Sequence, residues 1–343
     1  MTQFSRRSLL SLAAAAIPSL AMTRDARAQS VRRPTVVNGR RYLHYDVFTD
    51  KPLAGNQLAV FMETAGLSAA EMQAMTRETK FSECTFVQPA EAAGTDVRLR
   101  IFGPNNEMQF AGHPVIGSTS ALADDGVIAA GRKEFTFGLG IGPTLVELEW
   151  ATEGADGTDK SRLQFAWMTQ QKPVFGPTMA AAAPLAAALG LDAAALRPGV
   201  APQEVNCGSA FFMVPLVSRA AVDQAVVDTR AVAAAFEAAK LTRRGLFIFS
   251  TEPGADGATV YSRMMGANED PATGSASGPL GCYLVRHGLV PADKAGSIVS
   301  AQGVKMGRPS RIHIKIDLAG SEITRVRVGG TSVLVGEGRL RSS

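Results

Sequence analysis

The stretch Asn268-Glu269-Asp270-Pro271-Ala272-Thr273-Gly274-Ser275-Ala276 places an acidic turn directly before a run of small residues that opens a helix. The first turn of a helix leaves four N–H groups unpaired and carries a partial positive charge. An earlier stretch, Phe110-Ala111-Gly112-His113-Pro114, has the same character. Two such helix starts aimed at one cleft would hold a carboxylate or a developing enolate without a metal. Gly112 and Gly274 let a substrate approach the backbone, while His113 and Ser275 add side-chain donors. Asp270 can accept from a substrate amine or hydroxyl, or orient His113.

A third place supplies a proton-transfer group. In Phe81-Ser82-Glu83-Cys84-Thr85-Phe86-Val87, strand alternation puts Phe81, Glu83, Thr85 and Val87 on one face. On a buried apolar face, desolvation would raise the pKa of Glu83 and let it exchange protons near neutral pH. Removing a proton beside a carbonyl or conjugated acid and returning it elsewhere needs little more. Plainer readings stand beside these: Asp270 as a turn residue, His113 as a cap, Ser275 as packing, and Glu83 at a frayed strand start in water.

The elements that must position these groups follow from pattern. Arg41 to Val47 and Gln57 to Phe61 read as strands joined by a turn-forming segment, in which Gly55-Asn56 could aim backbone N–H groups toward a cleft. Ser68 and Glu71 form a capping box for the next helix. Val97 to Phe102 reads as a strand leading to the Gly112 helix, which ends near Gly126. Thr144 to Trp150 and Arg162 to Trp167 flank a hairpin turn at Gly154-Ala155-Asp156-Gly157. Gln170 to Pro177 reads as the crossover to a second half.

That half opens with helical stretches at Met179 to Leu189 and Asp192 to Leu196. Glu204 to Pro215 follows as strand, turn and strand, then a helix from Arg219 to Lys240. Strands at Gly245 to Ser250 and Val260 to Met264 come next. Arg311 to Leu318 alternates with Ile312, Ile314, Ile316 and Leu318 on one face, and Val326 to Val335 closes the chain. Gly112 to Gly126 and Gly274 to Gly288 are equal in length, and both run from a glycine through small or apolar residues to a capping glycine. That is a hint of duplication.

Composition excludes several classes. Ser5-Arg6-Arg7-Ser8-Leu9-Leu10, the apolar run to Met22 and Ala26-Arg27-Ala28 read as a twin-arginine signal peptide over residues 1–28, with export to the periplasm. The run is short of the about 20 residues a membrane span needs, and no other run is long and apolar enough to cross. The chain has 35 basic and 31 acidic residues. Without Arg6, Arg7, Arg24, Arg27 and Asp25 the balance is near +1, which gives no case for nucleic acid or anionic lipid. Cys84, Cys207 and Cys282 show no metal spacing, although one bridge is possible in an oxidising compartment. The four histidines are too dispersed for zinc. Neither a phosphate loop nor a GxGxxG fingerprint between a strand and a helix is present, so nucleotide binding is not expected.

From about Tyr42 to Gly338 the sequence resembles the PhzF-like phenazine-biosynthesis family, relatives of diaminopimelate epimerase. Asp46-Val47-Phe48-Thr49 with Pro52 and Gly55-Asn56 carries the likeness, with Ser82 to Val87, Phe110 to Pro114 and Glu269 to Ala276. The resemblance implies an α+β fold of two pseudo-symmetric domains, each a curved, mostly antiparallel sheet around a central helix. Here these would be 41–172, completed by about 331–340, and 173–330. It also implies a cofactor-free isomerase, commonly a homodimer, acting on a small carboxylated substrate. By this resemblance Glu83 moves the proton, and His113, Asp270 and Ser275 bind or assist; the reading of the turns and helix starts adds Gly55, Asn56, Gly112 and Gly274 to the binding set with His113 and Ser275.

Epimerase relatives use two cysteines at the two helix starts. Phe110-Ala111-Gly112 and Asp270-Pro271-Ala272 hold none, which disfavours two-cysteine racemisation. Gly55-Asn56-Gln57 and Phe102-Gly103-Pro104 depart from the family's usual Gly-Asn-Pro and Phe-Thr-Pro, and leave the substrate open. The alternative is a periplasmic small-molecule binding protein that keeps the cleft without turnover.

Overall fold

The computed structural model describes residues 39–153, 160–266 and 268–341. The expected signal peptide and the Gly154–Gly157 turn lie outside them. β1 (Arg40–Val47) and β2 (Asn56–Phe61) form an antiparallel pair. α1 (Ala69–Thr79) crosses over so that β3 (Glu83–Pro89) joins β2 in parallel. The expected capping box opens α1: the Glu71 N–H donates to Ser68 Oγ at 3.2 Å, and the Ser68 N–H donates to Glu71 Oε2 at 2.8 Å. β4 (Val97–Phe102) lies antiparallel to β3, with the short β5 (Glu107–Met108) folded back on it. α2 (Gly112–Asp124) follows, then β6 (Glu134–Leu139), β7 (Gly142–Glu153) and β8 (Lys160–Gln170).

The chain then runs through β9 (Val174–Thr178), α3 (Ala183–Ala188), β10 (Gln203–Asn206) and β11 (Ala210–Pro215). Next come α4 (Arg219–Gln224), α5 (Thr229–Ala238), β12 (Gly245–Ser250), β13 (Val260–Met265) and α6 (Gly274–Arg286). It ends in β14 (Ile298–Gln302), β15 (Ser310–Ala319), β16 (Glu322–Gly330) and β17 (Ser332–Leu340).

The duplication hinted at by the two glycine-bounded segments reappears in the pairings. From β1 to β8, passing β5, neighbours pair antiparallel, parallel, antiparallel, parallel, antiparallel and antiparallel. β10 to β16 repeats that series in the same order. β8 pairs with its counterpart β16. β9, which follows the first half, pairs with β10, and β17, which follows the second, pairs with β1.

α2 and α6 are 13 residues each and nearly all buried, which explains their composition. A helix enclosed by sheet has no solvent face and needs small or apolar residues all round. The hydroxyls that remain inside are paired, Ser118 with Thr85 at 2.8 Å and Ser277 with the Thr273 carbonyl at 2.9 Å.

Several expectations are corrected. The helix expected over Arg219 to Lys240 is two, because the Asp228 side chain caps α5 by accepting from the Arg230 and Ala231 N–H groups. The N–H groups of Val226 and Asp228 meanwhile donate to Leu189 and Ala188. Of Met179 to Leu189 only Ala183–Ala188 is helical, started at Pro184, and Ala193–Ala195 is a single 3-10 turn. The crossover holds β9, and β5, β6 and β14 form where the sequence pattern gives no strand. Ile312, Ile314 and Ile316 are buried, but Leu318 is only partly so.

Candidate active site

α2 and α6 meet at their N-terminal ends. A Cβ on Gly112 would lie 2.5 Å from Gly274 Cα, and one on Gly274 would lie 3.1 Å from Gly112 Cα. Only glycine permits this approach. Phe48 wedges beside the contact with its backbone at φ +64, an uncommon conformation for a bulky residue. It is held by donation from its N–H to Thr331 O and by acceptance at its carbonyl from Arg311. Neither N-cap residue, Ala111 or Thr273, makes a side-chain capping bond. The outer N–H groups of both helices are therefore not masked by a cap.

Asn56, at the start of β2, is the hub between the two halves. Its Nδ2 donates to Asp270 Oδ1 at 2.7 Å and to Ala272 O at 2.9 Å, and lies 3.1 Å from His113 Nδ1. Its Oδ1 accepts from Ser82 Oγ at 3.2 Å. Two amide hydrogens already serve two oxygens, so a proton on His113 Nδ1 would face a donor. The arrangement favours Nδ1 as the bare ring nitrogen. Thr273 Oγ1 donates to the other carboxylate oxygen of Asp270 at 2.6 Å.

Glu83 opens β3, and its Oε2 lies 3.9 Å from His113 Nδ1. Its side chain is 16% exposed, yet Oε2 is buried without a hydrogen-bond partner, as is His113 Nε2. Burial, and then the negative charge of Asp270, hold the Glu83 carboxyl well above the usual range. Burial pushes Asp270 up to about 6, against hydrogen bonds from Thr273 and Asn56 that pull it down. Burial pushes His113 down to about 3, partly offset by the Gln57 backbone, so the ring is neutral. A neutral imidazole thus sits 3.9 Å from a carboxyl that burial holds well above its ordinary range, and the Asn56 amide lies between that ring and the second carboxyl, Asp270.

The site expected from sequence is brought together in part. Glu83, Asn56, Gly112, His113, Asp270 and Gly274 converge, and Ser275 lies partly exposed at the second position of α6. Gly55 has a different part. Its N–H donates to Pro309 O at 3.2 Å and its carbonyl accepts from Arg308 Nε at 2.7 Å, so neither is aimed at a ligand. The polar side-chain atoms of Asn56 are likewise engaged within the protein, which makes it an organiser of the site.

Two residues outside the sequence-based set matter. Gln302 grips the Asp270–Thr273 turn, and Arg308 joins the halves by bonding Asp46 Oδ1, Ala54 O and Gly55 O. Asp46 is 1% exposed and also accepts from the Leu53 N–H at 2.7 Å. No cysteine joins the group. Cys84 turns to the opposite side of β3, 3.2 Å from Thr79 Oγ1, and Cys207 and Cys282 are buried 3.8 Å apart in the second half.

A family model for phenazine biosynthesis-like proteins matches residues 45–338. The trans-2,3-dihydro-3-hydroxyanthranilate isomerase of Pseudomonas aeruginosa is 34% identical over 303 residues, covering 87% of this chain and 98% of that protein. An uncharacterized isomerase of Mesorhizobium japonicum is 32% identical over 317 residues, covering 88% and 98%. Among solved structures, a phenazine biosynthesis protein of the PhzF family from Bacillus anthracis superposes with a TM-score of 0.74 at 22% identity, covering 89% of this chain and all of that one. The fold is the diaminopimelate-epimerase-like one, as the family resemblance implied.

Proposed function

This chain belongs to the phenazine biosynthesis-like protein family, and from that membership and the site geometry we propose a cofactor-independent isomerase that moves a proton on a small carboxylated substrate. The observation that carries the proposal is Glu83: a buried carboxyl with an oxygen lacking any partner, beside a neutral histidine and two abutting helix starts. A buried, unpaired carboxyl lowers stability and persists where its chemistry is used. Glu83 is the general acid/base. It takes a proton from one carbon of the substrate and returns it to another, so no proton, electron or group is consumed. Negative charge developing on the substrate is met by the N-terminal ends of α2 and α6, with Gly112, Gly274 and Ser275 lining its approach. His113 accepts or relays through its neutral ring, and Asp270 holds the polar end of the substrate.

Relatives named as isomerases favour turnover over a binding-only role. In this reading the lobes are 41–172 with 331–340, and 173–330. Residues 1–28 direct export to the periplasm, and the active form is a homodimer. The experiment is incubation in D2O with trans-2,3-dihydro-3-hydroxyanthranilate, the compound in the name of the Pseudomonas relative, and with other small unsaturated carboxylates. Deuterium should enter a carbon position of a turned-over compound. Binding of such compounds with no exchange in any of them would overturn the isomerase in favour of a binding protein.

A further inference from the structure

The turn that presents Asp270 is held from outside by one residue the sequence did not single out. Gln302, the last residue of β14, is fully buried, and its amide grips both ends of the turn. Its Nε2 donates to Asp270 O at 2.8 Å and to Thr273 Oγ1 at 2.9 Å, and its Oε1 accepts from the Thr273 N–H at 3.0 Å. Thr273 is the N-cap residue of α6. A threonine there ordinarily turns its hydroxyl oxygen to the free N–H groups of the first helical turn. This one makes no such bond. With its oxygen accepting from Gln302, the hydroxyl proton is directed to Asp270 Oδ2 at 2.6 Å.

We propose that Gln302 is a positioning residue which, through the Thr273 hydroxyl, fixes the Asp270 carboxylate in the site and keeps the α6 N-terminus uncapped. The arrangement runs from the Gln302 amide through the Thr273 hydroxyl to the Asp270 carboxylate and the Asn56 amide, so the far end of β14 sets the geometry at the hub. Only an amide serves both ends. A carboxylate in its place has no N–H to give, and it would accept the Thr273 hydroxyl proton that now goes to Asp270. Ser310 Oγ steadies the same turn by donating to Pro271 O at 3.0 Å, but it reaches neither Asp270 nor Thr273.

The catalytic meaning of this clip rests on the isomerase reading, so its first test uses no substrate. The Asp270 carboxyl is followed by carbon-13 NMR in protein labelled at aspartate. Gln302→Ala should move its titration midpoint upward by about one pH unit, the effect of losing one directed hydrogen bond to a carboxylate. Gln302→Glu, nearly equal in shape, should move it further the same way, and stands in if the alanine variant does not fold. Thr273→Val should reproduce the upward shift, Thr273→Ser should retain the native midpoint, and Gln302→Ala should add little on top of Thr273→Val. An unchanged midpoint in a folded Gln302 variant, or equal shifts with and without the Thr273 hydroxyl, would overturn the proposal. With a substrate in hand, the pH profile of exchange should move with the NMR midpoint. If the NMR midpoint moves while no compound is turned over, the clip stands and the isomerase reading is what fails.

Discussion

Replacing Glu83 with glutamine should remove proton exchange and at the same time make the protein more stable, increasingly so as the pH rises. The folded carboxyl is held well above its ordinary value of 4.5, by burial first and by Asp270 second. A raised folded pKa contributes stability that is full below about 4.5 and is lost as pH climbs through the folded value. Between those limits the unfolded chain releases a proton that the folded chain keeps, so wild-type stability falls by about 1.4 kcal/mol per pH unit from this group alone. Glutamine has the same shape and no titration.

The stability gap between Glu83→Gln and wild type should therefore widen by up to about 1.4 kcal/mol for each pH unit above 4.5, or about 2 °C in Tm for a chain of this size. It should level off once the folded carboxyl ionises. Urea melts of both proteins at pH 5, 6 and 7 read the gap directly, and titrations common to both largely cancel in the difference. Solvent deuterium incorporation should fall by about 10²–10⁴-fold, the usual contribution of a general acid/base. A gap that stays flat with pH would show that Glu83 is solvated and ordinary. Retained exchange would show that it is not the proton carrier.

Three further outcomes follow from the same geometry. Gly112→Ala should destabilise the protein by about 3 kcal/mol in a urea melt, because the added methyl meets the Gly274 backbone and not a side chain that can move. Arg308→Ala should lower stability by about 3 kcal/mol by leaving Asp46 buried without its guanidinium partner, and Asp46→Asn in that background should restore part of it. Mild oxidation with diamide should join Cys207 to Cys282, whose sulfurs are 3.8 Å apart, leaving one alkylatable thiol, Cys84, after denaturation. The bridge would close a loop of 75 residues and should add about 4 kcal/mol if native geometry accommodates it; three free thiols after treatment would refute the pairing.

Local chemistry made much of this molecule legible. Val97–Phe102 and Gly245–Ser250 are strands with the expected bounds, and the two 13-residue helices begin at the expected glycines. Their signals are short-range: alternation, a capping box, a glycine beside a polar turn. What escaped depends on distant partners. The break between α4 and α5 joins a local cap at Asp228 to the carbonyls of Ala188 and Leu189, some forty residues upstream, which no window over an alanine-rich run contains.

The site divides the same way. Glu83, His113 and Asp270 sit in compact motifs, whereas Gln302 is an ordinary glutamine at a strand end until it is folded against Thr273. Arg308 meets Asp46 across 262 positions of sequence. Gly55 looked like a ligand contact because glycine beside asparagine signals exposed backbone. Its donor is instead taken by Pro309.

The two strand exchanges have a consequence for how the gene could be written. Arg40 faces Leu340 across the β1–β17 ladder, so those two positions lie within about 5 Å of each other. The segment 171–173 between β8 and β9 occupies the place in the first half that Thr331 occupies between β16 and β17 in the second. A short linker from 340 to 40 would close the chain into a ring, and cutting that ring at 171–173 would give a circular permutant beginning at β9. Every ladder and both helix starts would survive the rearrangement. The pairings thus describe a closed circuit of two modules in which either module could be translated first.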